Sequence, residues 1–181
     1  MKTWKIDPVH SEIKFKVKHL VVSTVTGKFD SFDAAIESES DDFTNAKITF
    51  EADVNSINTG NGMRDGHLKS ADFFDAANHP KIMFVSKSLT EKSDNEYTLS
   101  GDITIRGITK QILLDVVYNG VAKGMDGNTI AGFEITGKLN RFEFGLHWNT
   151  LTEAGGMTVG SDIKLEIFAE MKNIIPLGKA A

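Results

Sequence analysis

Residues 12–19 alternate strictly: Ile13, Phe15, Val17 and His19 fall on one side, Glu12, Lys14, Lys16 and Lys18 on the other. Period two with charge on one side predicts a strand with one wet face. Residues 24–36 continue in this style around Gly27 and Phe29, with Gly27 read as a bulge or bend. Residues 46–54 repeat the pattern, setting Ile48, Phe50, Ala52 and Val54 against Lys47, Thr49, Glu51 and Asp53. The run 81–90 mixes Ile82, Met83, Phe84 and Val85, so it reads as a strand covered on both faces. Three further alternations follow: Tyr97 to Ile105, Ile112 to Tyr118, and Phe133 to Leu139. A last one carries Ile163, Leu165, Ile167, Ala169 and Met171. Arg106-Gly107-Ile108-Thr109 reads as a hairpin-like link and Met125-Asp126-Gly127-Asn128 as a turn.

One stretch, 54–84, breaks this succession. Gly60, Asn61 and Gly62 close a strand, a helix-length polar segment follows Gly60, and His79-Pro80 opens the next strand. About eight strands with one apolar face each, one short helical crossover and only three prolines predict an all-β protein. Such sheets avoid exposed edges by closing, so an antiparallel barrel or a curled two-layer sandwich is expected. If it is a barrel, Ile13, Phe15, Val17, Ile48, Phe50, Ile103, Ile105, Phe133, Ile135, Leu139, Ile163, Leu165 and Ile167 line it. Eight strands leave room either for side chains or for one slim ligand.

At 181 residues the chain suits one domain over 1–181, and its 40% hydrophobic and 25% charged residues are ordinary for a globular protein. A net charge of −5, with no lysine and arginine cluster, removes the electrostatic basis for nucleic-acid binding. The absence of cysteine excludes disulfides, thiolate metal sites and thiol nucleophiles. Met1 to Asp7 pass straight into a strand pattern without a charged leader or apolar core segment. A cytoplasmic location is therefore expected for the chain as written, and a periplasmic one if a leader has been removed.

Signals for catalysis are weak. Gly60-Asn61-Gly62-Met63-Arg64-Asp65-Gly66 resembles a dinucleotide loop, but its third glycine comes one place late and no parallel strand–helix–strand context follows. The histidines at 10, 19, 67, 79 and 147 show no paired metal spacing, and Gly160-Ser161-Asp162 is no nucleophile elbow. No catalytic group, metal or cofactor is expected. Arg64, Asp65 and His67 are the best polar candidates, either fixing a ligand head group at a barrel mouth or bracing the crossover against the barrel. His19, in register with apolar residues, is either a satisfied core histidine or a head-group contact. Gly27, Gly101 and Gly137 fall on apolar faces, where they bend the sheet or keep space free for a chain. The aromatic segment Phe142, Phe144, Leu146, Trp148 and Leu151 runs into Glu153-Ala154-Gly155-Gly156-Met157, either the rim of an opening or an ordinary connection.

Several phrases occur together and in order: Asp7-Pro8-Val9-His10-Ser11, Phe15-Lys16-Val17-Lys18-His19-Leu20, Arg64-Asp65-Gly66-His67-Leu68-Lys69-Ser70, Asp72-Phe73-Phe74-Asp75, Pro80-Lys81-Ile82-Met83-Phe84 and Gly101-Asp102-Ile103-Thr104-Ile105-Arg106-Gly107-Ile108-Thr109-Lys110. Across essentially the whole chain they resemble the YceI-like family of bacterial lipid-binding proteins. The resemblance implies an extended, lipocalin-like antiparallel barrel whose apolar tunnel holds a long isoprenoid, isoprenoid quinone or fatty-acyl chain, without catalysis and in a homodimer. A transient membrane contact belongs to the same expectation. The alternative is an enzyme acting on such a lipid through Arg64, Asp65 and His67. The ligand-contacting set expected is Phe15, Val17, His19, Phe29, Phe50, Phe73, Phe84, Ile103, Ile105, Phe133, Ile135, Leu139, Phe144, Trp148 and Leu165.

Overall fold

The computed structural model describes residues 1–40 and 42–174. In chain order the elements are β1 (Lys2–Ile6), β2 (Glu12–His19), β3 (Ser23–Phe29), β4 (Phe32–Ser38), β5 (Lys47–Asp53), a 3₁₀ turn (Val54–Ser56), β6 (Ile57–Asn58), α1 (Gly62–Lys69), β7 (Lys81–Ser93), β8 (Glu96–Ile105), β9 (Ile108–Lys123), β10 (Thr129–Asn140), a second 3₁₀ turn (Arg141–Phe144) and β11 (Val159–Ile174). Every pairing is antiparallel, and the order β1-β4-β5-β7-β8-β9-β10-β11 returns to β1. Eight strands thus close a barrel, and β2, β3 and β6 extend from it as a flap.

The flap arises because three strands are broken in two. The long β11 pairs with β1 through Ile174 to Met171, then with β2 through Phe168 to Ile163. Next to them β4 and β3, and then β5 and β6, divide at the same level. Polar groups at the kinks take up the interrupted ladder bonds: Asp30 N–H donates to Ser56 O at 3.1 Å, and Asp53 N–H to Ser31 O at 2.9 Å. The alternation read across 24–36 therefore belongs to two strands, β3 and β4. Gly27 is not a bulge, since β2 and β3 keep unbroken register from Ile13↔Phe29 to His19↔Ser23.

The run 81–90 is not covered on both faces. Ile82 and Phe84 are buried, whereas Met83 and Val85 are 45% and 48% exposed on the outer wall. The Arg106-Gly107 link is a two-residue turn with φ of 49° and 73°, the left-handed pair that matches the twist of a hairpin.

The crossover occupies the gap that β6 leaves beside β7. Its helix has no buried residue and depends on end chemistry: the Asn61 side chain accepts the Arg64 N–H at 3.0 Å. The turns after it direct Phe73 and Phe74 inward, through Phe74 N–H to Leu68 O and Asp75 N–H to Ser70 O. Arg106 Nη1 fastens this segment, donating to Phe73 O at 2.8 Å and to Gly145 O at 3.1 Å.

Candidate functional site

The barrel is hollow. A cavity of about 230 Å³ runs through it, and apart from Arg141 every residue facing it is apolar. That exceeds the ~150 Å³ of an apolar cavity known to stay dry and admit benzene. Inward-pointing Phe15, Phe50, Ile135, Leu139 and Leu165 are only half-buried, because they face this space rather than packed neighbours.

Glycines in the wall help keep it open. A Cβ on Gly27 would collide with the ring of Phe15, one on Gly101 with the ring of Phe84, and one on Gly137 with Leu114 Cδ2. These large side chains lie across the glycines instead of projecting to the centre. The glycines thus free space indirectly, by letting neighbours lie along the wall, and at Gly101 the β7–β8 ladder also shifts register between Ser86 and Ser88.

The two ends are closed differently. At the end holding the β9–β10 turn, Phe43 is 2% exposed and seats its ring 5.3 Å from Trp4, 5.5 Å from Tyr118 and 5.2 Å from Phe133. Phe43 holds a left-handed φ of 58°, so the backbone accepts an unfavourable conformation to aim this ring inward. Nothing in the sequence pattern marked Phe43, which lies in a polar connection. At the other end Leu68, Phe73 and Phe74 of the crossover line the lumen together with Phe144, which ends the second 3₁₀ turn, and Leu146 just after it.

Arg141 organises that second end. It is 3% exposed, and its guanidinium donates to four backbone carbonyls: Gly160 O from Nε at 2.8 Å, Leu146 O and Trp148 O from Nη1 at 2.7 and 2.8 Å, and Val159 O from Nη2 at 3.1 Å. Burial pulls its pKa below the ordinary guanidinium value. The charge also lies over the Phe142 ring at 4.7 Å. The sequence pattern did not single out Arg141; its signal was an arginine two places after Leu139, in inward register and followed by Phe142 and Phe144.

Of the expected contact set, Phe15, Val17, Phe29, Phe50, Phe73, Phe84, Ile103, Ile105, Phe133, Ile135, Leu139, Phe144 and Leu165 all line the cavity. His19 and Trp148 do not. His19 sits at the far end of β2 opposite Ser23, beyond the lumen, where its carbonyl accepts from Ser23 Oγ at 3.2 Å. Trp148 packs outside, its ring 4.6 Å from His67 and 5.2 Å from Phe73.

Arg64, Asp65 and His67 are absent from the lining. Arg64 Nε donates to Thr59 Oγ1 at 2.7 Å and its Nη2 to Thr59 O at 2.9 Å. Asp65 Oδ1 accepts from Thr59 N at 2.9 Å and from Thr59 Oγ1 at 2.6 Å. His67 Nε2 lies 2.8 Å from Asp72 Oδ2. The trio clasps the helix to the chain leaving β6 and braces the crossover, and it presents no polar group to the lumen.

Asp7, His10 and Glu170 bring one ligand-type atom each within 4.8 Å of one another. The Asp7 carboxylate is already engaged by Lys172 Nζ at 2.7 Å, His10 Nδ1 at 3.0 Å and Val9 N–H at 3.0 Å. These contacts hold its pKa well below the usual carboxylate range, and Asp7 in turn raises that of His10. The cluster is a self-satisfied latch between β1, β2 and β11.

With this geometry in view, comparison with known proteins is decisive for the family. A model of the YceI-like domain matches residues 4–171. The chain belongs to the YceI-like family. A UPF0312 protein of Staphylococcus aureus (strain USA300) is 44% identical over 171 residues, covering 94% of this chain and 97% of that one. Among solved YceI-like structures, a Campylobacter jejuni YCEI protein is 34% identical and superposes with a TM-score of 0.74, over 88% of this chain and 91% of the other. BcnA of Burkholderia cenocepacia superposes at 0.77 with 20% identity, over 91% and 98% of the two chains. A polyisoprenoid binding domain from Saccharophagus degradans superposes at 0.64 with 13% identity, over 94% and 98%. These last two establish likeness of fold.

Proposed function

We propose that this protein binds, stores or carries one long-chain apolar lipid, a polyisoprenoid, isoprenoid quinone or fatty-acyl compound, in the barrel lumen and without catalysis. The observation that carries this reading is the open interior of about 230 Å³ whose lining has Arg141 as its one non-apolar member. A hydrocarbon tail gains roughly 0.8 kcal/mol per buried CH₂. About 15 such carbons would gain on the order of 12 kcal/mol gross, against at least ~4 kcal/mol for lost freedom. Binding up to about the micromolar range is therefore reached without a polar anchor. The polyisoprenoid binding named for the Saccharophagus degradans domain supports the ligand class.

The non-enzymatic part of the reading is supported by Arg64, Asp65 and His67, which are occupied in bracing the crossover. Association into a homodimer is proposed with it, on the strength of Leu113 and Val117, which stand 63% and 40% exposed on the outer face of β9. Native mass spectrometry with organic extraction of the protein from its own host tests the ligand reading. Ala34 lines the lumen, and a co-purifying amphiphile lost in an Ala34→Phe variant is the expected result; a ligand-free protein indifferent to added chains of every length overturns it.

A further inference from the structure

We infer that one end of the molecule is a bilayer-docking tip, made by the β2–β3 turn and the loop of residues 150–158. This inference rests on the lipid-lumen reading for its purpose and names the partner from which the lumen is filled. Leu20, Val21 and Val22 are 42%, 77% and 85% exposed, and Leu151 and Met157 are 75% and 41% exposed. The two loops form one surface: Leu20 N–H donates to Thr158 O at 2.9 Å, and Leu151 pairs with Met157 across its own small hairpin.

The residues are wrong for a turn. Leu20 and Val21 hold φ of 51° and 65°, a conformation suited to asparagine and glycine and costly for a β-branched side chain. Exposed apolar side chains kept at such positions point to a task outside the fold itself. Scattered single apolar residues on a surface need no explanation, but five on two joined loop tips do.

The composition around them selects a lipid interface over a protein one. Within residues 20–22 and 150–158 the one ionisable side chain is Glu153, and the other polar side chains are hydroxyls, Thr150, Thr152 and Thr158. Behind the tip, on the outer face of β2, stands Lys18, with no ion-pair partner among the described residues. Narrow apolar ends backed by hydroxyls and a lysine suit shallow insertion at the headgroup boundary. A stable protein interface takes roughly 20–30 residues a side, whereas the two tips supply five exposed apolar side chains.

The tips also stand close along the chain to the lumen wall. Val17 lines the cavity just before Lys18, His19 and Leu20, and Val159 lines it just after Met157 and Thr158. A lipid leaving a bilayer at the tips would meet lumen wall immediately.

Flotation with phosphatidylcholine vesicles tests this. The wild-type chain and a Val85→Asp control on the outer wall should float together, whereas Val21→Asp/Val22→Asp and, separately, Leu151→Asp should partition about tenfold less, the scale of one buried apolar side chain. Thermal melting checks that each variant is folded. Failure of the wild type to float, equal flotation of the tip variants, or a change of oligomeric state on tip substitution without vesicle binding would each overturn the proposal. Loading with cis-parinaric acid added from ethanol separates the two readings. Uptake by wild type and tip variants alike with normal fluorescence leaves the lumen intact, so a flotation failure then counts against docking alone, and absence of uptake counts against the lumen.

Discussion

The ring of Phe15 lies flat over Gly27, its Cε1 and Cε2 2.8 Å from the place a Cβ would occupy. One missing carbon on β3 thus lets a phenylalanine of β2 line the lumen without filling it. Phe84 over Gly101 and Leu114 over Gly137 repeat the arrangement elsewhere in the wall.

Gly27→Ala should accordingly drive the Phe15 ring toward the centre of the barrel. Overpacking of this sort costs about 1–3 kcal/mol. Urea unfolding should show that loss, and titration with cis-parinaric acid should show weaker uptake. Unchanged uptake would mean that Phe15 finds room elsewhere.

Arg141→Met would take the guanidinium donor from four backbone carbonyls, of which Val159 O keeps the Asn149 Nδ2 donor at 2.8 Å. Each unsatisfied group costs about 1–3 kcal/mol, so a loss of about 3 kcal/mol or more is expected in urea unfolding. Lysine should not rescue it, since a single ammonium cannot span four acceptors in the guanidinium's fork geometry. A melting temperature for Arg141→Lys equal to wild type would refute this account of the residue.

Phe43→Ala removes the stopper at the far end of the lumen. Deleting a buried phenylalanine costs roughly 3–5 kcal/mol. Stopped-flow uptake of the same probe should become faster even as the melting temperature falls. Uptake at the wild-type rate would show that exchange passes only through the other end.

Stability should depend on pH through the latch around Asp7. Because His10 has a raised folded pKa, its contribution is fully present below its ordinary value of 6.5 and fades as pH climbs through the raised one. Asp7 has a depressed pKa, so its contribution is present above the ordinary carboxylate value of 3.8 and is lost only in much stronger acid. His10→Ala should flatten the wild-type decline in melting temperature between pH 6 and 8 (roughly the span of a raised imidazole). A decline that persists in the variant would assign it to another group.

Asp65→Ala should lower stability without changing how much probe the lumen takes up, because its carboxylate clasps Thr59 outside the cavity. Abolished uptake in a variant that still melts cooperatively would restore the head-group role.

The alternation of Ile13, Phe15 and Val17 with Lys14, Lys16 and Lys18, and its repeats down the chain, dictated the one-sided strands, and with them the need to close. The helical crossover was legible too, because glycine, asparagine and proline act through local backbone energetics. What no local pattern carries is how strands divide and what meets what across the barrel. That β3 and β4 are separate, that Phe43 stoppers one end and Arg141 gathers the carbonyls of the other, and that Phe15 rests on Gly27 rather than filling the centre were all decided by tertiary closure. Period two says which face a side chain takes, but whether that face meets packed atoms or empty space depends on residues far away in the chain.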